Sequence, residues 1–116
     1  MNPEELRSRT KKFALRIIRL FRALPRRGEA QVMGSQLLRS GTAVAANYRA
    51  ACRARSRAEF VARIAVVEEE ADESAFWPEL LGDSATVKPM RLAALLAEAR
   101  ELTAIFTATR HSTKRS

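Results

Sequence analysis

The residues that could hold a metal ion are concentrated in one acidic run, Glu68–Glu73, which contains four glutamates and one aspartate. Helical bundles bind two metal ions with such carboxylates, but that design also needs a histidine three residues after a glutamate on each of two helices. The chain has one histidine, His111, close to the end of the sequence. We therefore predict no metal site and no cofactor, and we expect the acidic run to be structural.

Cys52 is the one cysteine and the best candidate nucleophile. A reactive thiol needs a neighbouring base or positive charge to hold it as thiolate, and no histidine accompanies Cys52 on its apolar helix face. We expect it to be a small, buried, apolar side chain. No glycine-rich loop follows a strand, so no phosphate-binding loop is predicted either. The sequence therefore predicts that the protein is not an enzyme.

Positive charge is the strongest chemical feature of the sequence, with 21 lysines and arginines against 13 acidic residues and a net charge of +8. Residues 1–58 hold fourteen basic and three acidic residues, a balance of +11. Residues 59–116 hold seven basic and ten acidic residues, a balance of −3. Such asymmetry favours a polyanionic partner. The alternative is an arginine- and alanine-rich composition that only keeps the helices in water.

A helical period orders the basic residues of the first half. From about Glu4 to Leu24, apolar side chains occupy one face of a helix and basic side chains occupy the opposite face. A row of cations can follow a phosphate backbone by neutralising it, without reading bases. The candidate nucleic-acid-binding residues are Arg9, Lys12, Arg16, Arg19 and, in the following turn, Arg26 and Arg27. We predict binding of RNA or DNA with little sequence preference. The alternative is a scaffold that binds an acidic protein partner.

Four helices of similar length are expected to position these residues. They span about residues 4–24, 30–55, 57–81 and 87–109, with proline, glycine or turn-forming residues between them. Short links between matched helices predict an all-α, up-down-up-down antiparallel four-helix bundle over residues 1–110. Residues 111–116 are predicted to be a disordered basic tail. Pro78 is expected to kink the third helix or to end it early.

The second helix has small residues on every side and only one charge, Arg39, between Ala30 and Tyr48. Neither of its faces has the composition of a water-exposed surface. Helices of this kind are normally packed on more than one side. In a chain of 116 residues, we expect part of the covering surface to come from another subunit.

Ser56 and Glu59 have the spacing of a capping box at the start of the third helix. If the second and third helices form a hairpin centred near Ser56, Arg39 lies opposite Glu73 and Arg53 lies opposite Glu59. These pairs are predicted to form interhelical ion pairs that define the register. The apolar residues that the third helix is expected to bury are Phe60, Ile64, Val67, Ala71, Phe76 and Leu80.

The sequence contains no signal for secretion or membrane insertion. The first twenty residues carry arginine or lysine every few positions and lack the apolar segment of a secretory signal. No stretch approaches the roughly 18 apolar residues of a spanning helix. A single cysteine allows no internal disulfide and fits a reducing compartment. We predict a cytoplasmic protein without a membrane partner.

The segment from Gln36 to Phe60 resembles a known bacterial family. It begins Gln-Leu-Leu-Arg-Ser, contains Asn47 within Val-Ala-Ala-Asn-Tyr, and ends Arg-Ser-Arg-Ala-Glu-Phe. The acidic run and Trp77 continue the likeness, which covers about residues 10–106. The pattern is similar to the four-helix bundle proteins related to the 23S ribosomal RNA intervening-sequence protein.

The resemblance implies a non-catalytic bundle that assembles into a barrel-like homopentamer. Related accessory proteins of diversity-generating retroelements form basic pentamers that bind nucleic acid and a reverse transcriptase. Many members have Ala-Glu-Gly shortly after the asparagine, where this chain has Arg49-Ala50-Ala51, so the role of that acidic residue does not transfer. From the hairpin register and this resemblance, the residues assigned to structure or subunit contact are Gln36, Arg39, Asn47, Arg53, Glu59, Glu73 and Trp77.

Overall fold

A computed structural model describes residues 1–115, which form four α-helices and no strand. The helices are α1 (Pro3–Ala23), α2 (Gly28–Ala51), α3 (Arg57–Asp83) and α4 (Pro89–Arg115). Each packs on the next in chain order, whereas α1 and α4 approach each other over a much smaller area. The bundle measures 45 × 21 × 18 Å. The prediction of an all-α, up-down-up-down bundle is confirmed.

Side-chain caps define the starts of two helices. Asn2 Oδ1 accepts the backbone N–H of Glu5 at 2.8 Å, where α1 begins. Ser56 Oγ accepts the backbone N–H of Glu59 at 3.1 Å, where α3 begins. The Glu59 carboxylate in turn accepts the backbone N–H of Arg55 at 2.9 Å. The bonds accepted by Asn2 and Ser56 satisfy donors that a helix leaves unpaired at its first turn. They confirm the serine half of the predicted capping box, whereas the Glu59 carboxylate binds the N–H of the residue before the N-cap and not that of Ser56 itself.

The core lies along the bundle axis and contains residues from all four helices. Its largest fully buried apolar side chains are Phe13, Ile17, Leu37, Val44, Ile64, Val67, Leu81, Leu102 and Phe106. Glycines bring α1 and α2 close together: a Cβ atom at Gly34 would overlap Leu24, and one at Gly41 would overlap Ile17. The small residues that α2 turns toward α1 are thus needed for close helix packing.

Two helices extend further than predicted. α3 continues through Pro78 to Asp83, so of the two predicted outcomes, a kink or an early end, the early end is wrong. Proline removes one backbone donor, but its ring is buried here and backbone bonding extends to the end of the helix, where Ser84 N donates to Leu80 O at 2.9 Å. Burial of the ring offsets the missing bond.

The basic tail is helical rather than disordered, because α4 continues to Arg115. The prediction is therefore wrong for residues 111–115, while Ser116 lies outside the described residues. No proline or glycine follows Thr109 to stop the helix. Lys114 and Arg115 in the last turn also interact favourably with the exposed carbonyls of a helix C-terminus.

One of the two predicted interhelical ion pairs forms. Arg39 Nη2 lies 2.7 Å from Glu73 Oε2, which confirms that pair. Arg53 does not meet Glu59, so the second prediction is wrong. α2 ends at Ala51, and hairpin register therefore does not continue into the turn that holds Arg53. Glu59 instead lies 3.5 Å from Arg63 Nε along α3.

Apolar side chains remain exposed on α2 and α3. Phe76 is 49% exposed and packs edge-on against Trp77, with ring centroids 4.9 Å apart. The prediction that α3 buries Phe76 is wrong, because Ser74, Ala75 and Pro78 form the buried face at that level. Val32 of α2 is 64% exposed. One flank of α2 is thus left uncovered by the rest of the chain.

Within residues 1–115, no helix combines the length and apolar character needed to cross a membrane.

Candidate nucleic-acid interface

Arg9 differs from the other candidate binding residues because it is held by carboxylates of α4. Its Nη2 atom lies 2.7 Å from Glu98 Oε1 and 3.0 Å from Glu101 Oε1, and its Nε donates to Glu98 at 2.7 Å. Hydrogen bonds to Glu98 and Glu101 raise the pKa of Arg9 above its ordinary value. The Arg9 side chain is 20% exposed. It links α1 to α4 and is not available as a free cation.

The other candidate residues form one cationic surface, here called the basic face: Lys12, Arg16, Arg19, Arg26 and Arg27. All except Arg16 are exposed, and Arg16 is half-exposed. The ion pairs described for residues 1–115 involve none of the five. The surface follows the outer side of α1 and continues into the turn before α2. A row of unneutralised cations on a rigid helix can neutralise successive phosphates of a nucleic-acid backbone.

Several cations outside the predicted set surround a groove between α1 and α2. We call this feature, of about 840 Å³, the α1–α2 groove. Its cationic rim consists of Arg7, Lys11, Arg49 and Arg53. The other lining residues, here called its floor, are the small side chains Ser8, Thr42, Ala45, Ala46 and Cys52. The spacing i, i+4 in Arg7/Lys11 and in Arg49/Arg53 was visible in the sequence, but their convergence depends on how α1 packs beside α2.

The expectation for Cys52 holds only in part. The side chain is half-buried and lies at the C-cap of α2, on the groove floor. It packs against the core but keeps one side open to the groove.

The side chains of the acidic run meet three different surroundings: α4, α2 and solvent. Glu68 accepts a hydrogen bond from Arg110 Nε of α4 at 2.6 Å. This bond, together with a second one from Thr107, lowers the pKa of Glu68. Glu70 lies 3.1 Å from Arg39, the arginine that also meets Glu73. Within residues 1–115 no three histidine, cysteine or acidic residues are grouped in a way that could hold a metal ion. The carboxylates at the α2 and α4 sides of α3 thus connect helices.

The remaining two acidic residues of the run, Glu69 and Asp72, are exposed. They take part in none of the ion pairs described between Met1 and Arg115. Sequence reasoning assigned Glu73 to Arg39 but did not distinguish Glu69 and Asp72 from the other acidic residues of the run.

The residues assigned to structure or subunit contact lie mostly at the α2–α3 boundary. Glu73 joins Arg39 to Trp77, since Trp77 Nε1 donates to it at 3.2 Å. The hydrogen bond from Arg39, strengthened by that from Trp77, lowers the pKa of Glu73. Asn47 donates to the Ala43 carbonyl within α2 at 2.9 Å. These residues therefore contribute one cluster of contacts between α2 and α3 and one hydrogen bond within α2.

Gln36, the remaining motif residue, is half-buried on α2.

Comparison with known proteins identifies related chains. Residues 5–108 match the model of a family described as 23S rRNA-intervening sequence protein. The fold is similar to the crystal structure of a protein with unknown function from the S23 ribosomal protein family of Bacteroides thetaiotaomicron VPI-5482. The two chains are 29% identical, the match covers 96% of this chain and 99% of that one, and the TM-score is 0.87. The chain has no significant match among curated proteins.

Proposed function

Because the chain belongs to the 23S rRNA-intervening sequence protein family, we propose that it is a non-catalytic, homo-oligomeric helical bundle that binds RNA or DNA through the basic face. The observation that carries the proposal is the contrast in charge pairing. Carboxylates of α3 and α4 neutralise Arg9, Arg39 and Arg110, whereas the five cations of the basic face have no such partners among residues 1–115. That surface therefore presents net positive charge.

Binding of this kind depends on charge and shape. Each cation that neutralises a phosphate releases a counterion, so the affinity falls with salt with a slope of roughly −0.9 per contact on duplex DNA. Contacts from a row of cations along α1 and the following turn to backbone phosphates position a nucleic acid without carrying sequence information. We therefore expect structured RNAs of unrelated sequence to bind with similar affinity.

The oligomer and the location are part of the same proposal. Following the resemblance, we propose a homopentamer in the cytoplasm. The uncovered flank of α2, where Val32 is 64% exposed, supports assembly. Light scattering should give a mass near five times 13.0 kDa, and a mass of one chain would contradict the assembly.

A salt titration with a fluorescently labelled structured RNA tests the binding. We expect binding at ~50 mM salt and a steep loss toward ~200 mM. The variant R16E/R19E should weaken binding at least tenfold for every RNA tested, because it removes two phosphate contacts and adds repulsion. Absence of binding at low salt, or binding indifferent to salt, would contradict the proposal.

A matched control is K114E/R115E, which changes the charge equally in the last turn of α4. Because α4 is antiparallel to α1 and Glu98 lies opposite Arg9, that turn lies beyond the level at which α1 begins. The control should bind RNA nearly as well as the unmodified protein. If both variants lose affinity alike, only the net charge matters. A protein partner captured despite nuclease treatment would favour the alternative, a scaffold for an acidic protein.

A further inference from the structure

The α1–α2 groove is a surface without an occupant inside the chain. None of its four rim cations, Arg7, Lys11, Arg49 and Arg53, joins an ion pair described for residues 1–115. Small side chains make its floor, so another backbone could approach closely. The groove area is apolar as well as cationic, which distinguishes it from the basic face.

α3 carries a second surface of complementary character, here called the α3 stripe: Val66, Glu69, Asp72 and Phe76. Residues at these spacings lie on the same side of a helix. Val66 is 43% and Phe76 49% exposed, and the two acidic residues between them have no ion pair within the described chain. The stripe therefore combines apolar side chains at its ends with two unneutralised carboxylates at its centre.

We propose that the α3 stripe of a second copy of this chain docks in the α1–α2 groove. Cations on both walls of the groove would flank Glu69 and Asp72, while Val66 and Phe76 would leave water. The inference rests on the proposed oligomer and names the two surfaces that form it. None of the groove residues except Arg53, and none of the stripe residues, was singled out by the motif as a subunit contact.

A copy of the chain fits the groove better than a nucleic-acid backbone does. Phosphates would account for the cationic rim, but not for the apolar side chains Ala45 and Ala46 of the floor or for the two exposed apolar side chains on α3. Opposite charges across an interface also determine orientation and exclude wrong partners. One occupant accounts for both uncovered surfaces together.

The contact is head-to-tail. α1 packs on α2 and not on α3, so α3 lies diagonally across the bundle from α1, and the groove and the stripe face different sides. One copy can therefore offer its stripe to one neighbour while its groove receives another. Heterologous contacts of this type close into rings when the rotation between copies permits, and the outer side of α1 stays available for nucleic acid.

A charge-swap experiment with the full chain, measured by light scattering, tests the proposal. The groove variant R7E/K11E/R49E/R53E and the stripe variant E69K/D72K should each fall to the mass of one chain, 13.0 kDa. The variant with all six substitutions should recover the oligomer, because the opposite charges then meet in reverse on both walls of the groove. The control R16E/R19E should keep the oligomer while losing RNA affinity.

The outcomes separate this inference from the proposed function. If the unmodified protein is a monomer, the proposed assembly fails and the docking model fails with it. If the unmodified protein is an oligomer and the groove variant is still an oligomer, only the docking model fails. Loss of RNA binding by that groove variant would then assign the groove to phosphate binding. Folding is checked by the helical circular dichroism signal, since all six positions are exposed. A swapped variant that folds but stays monomeric overturns the model.

Discussion

Arg9 and Lys12 are neighbours on α1, less than one turn apart, and they have opposite surroundings. Arg9 is held by two carboxylates of α4 and is mostly buried, whereas Lys12 faces solvent with no described acidic partner. A helical face assigned from sequence is therefore not uniform. Its edge toward a neighbouring helix joins the bundle, and its outer side stays exposed to solvent.

The same division holds for the acidic residues of α3. Glu68 and Glu73 receive arginines from α4 and α2, and Glu69 and Asp72, in the same acidic run, are exposed. Charges at the edges of each helix thus join the bundle, while charges on the outer side of α1 and α3 remain unneutralised and give the surface its character.

The largest expected effect is the difference between alanine substitutions at Arg9 and at Lys12. Arg9→Ala should lower the free energy of unfolding by about 1–2 kcal/mol, because it removes charge-assisted hydrogen bonds between helices. RNA affinity should change little. Lys12→Ala should do the reverse: stability stays within ~0.5 kcal/mol, and the slope of affinity against salt falls by about 1. Urea denaturation and RNA titration on both variants measure this. If the two variants change the unfolding free energy and the RNA affinity by the same amounts, Arg9 and Lys12 do not have different roles.

Releasing Arg9 gives a smaller effect in the opposite direction. In the variant E98A/E101A, Arg9 loses both partners and can turn toward solvent beside the basic face. Stability should fall, and the salt slope of RNA binding should steepen by about 1 as one more cation becomes available. An RNA titration across salt measures the slope. An unchanged slope would mean that the α4 side of α1 is out of reach of the nucleic acid.

Glu68 and Glu73 should make the stability of the bundle depend on acid pH. Hydrogen bonds from Arg110 to Glu68 and from Arg39 to Glu73 lower the pKa of both carboxyls below the ordinary 4.5. Their stabilising contribution is therefore complete above that pH and is lost as pH falls through the lower folded-state pKa values. Thermal melting between pH 5 and ~3 should show a shallower loss for Glu68→Gln than for the unmodified protein. If both proteins lose stability equally as the pH falls, Glu68 is not a source of the acid dependence.

The smallest effect is expected at Arg39. Its side chain is 51% exposed, and water screens its attraction to Glu70 and Glu73. Arg39→Ala should therefore cost no more than ~1 kcal/mol of unfolding free energy. The unpaired Arg19 provides the comparison, since Arg19→Ala should change stability by less than ~0.5 kcal/mol. A loss of several kcal/mol at Arg39 would show that the pair does more than define register.

Where a residue acts within its own helix or across one hairpin between two helices, sequence reasoning mostly located it well. The amphipathic period of α1, the capping box at Ser56 and the placement of Arg39 opposite Glu73 depend only on residue spacing or on the register of one hairpin. The predicted pair of Arg53 with Glu59 relied on the same register and does not form, because α2 ends two residues before Arg53. Phe76 fails because small residues, not the largest apolar ones, fill the core at its level of α3.

The sequence by itself determined the four helices, the family motif and the concentration of positive charge on one half of the chain. These follow from local propensity and periodicity, which act over a few residues. Only the tertiary structure decided which charges were neutralised, that Arg9 belongs to the fold, and that four arginines and lysines converge on a groove of small residues. Charge pairing and groove formation depend on how neighbouring helices rotate and approach, and no single helix carries that information.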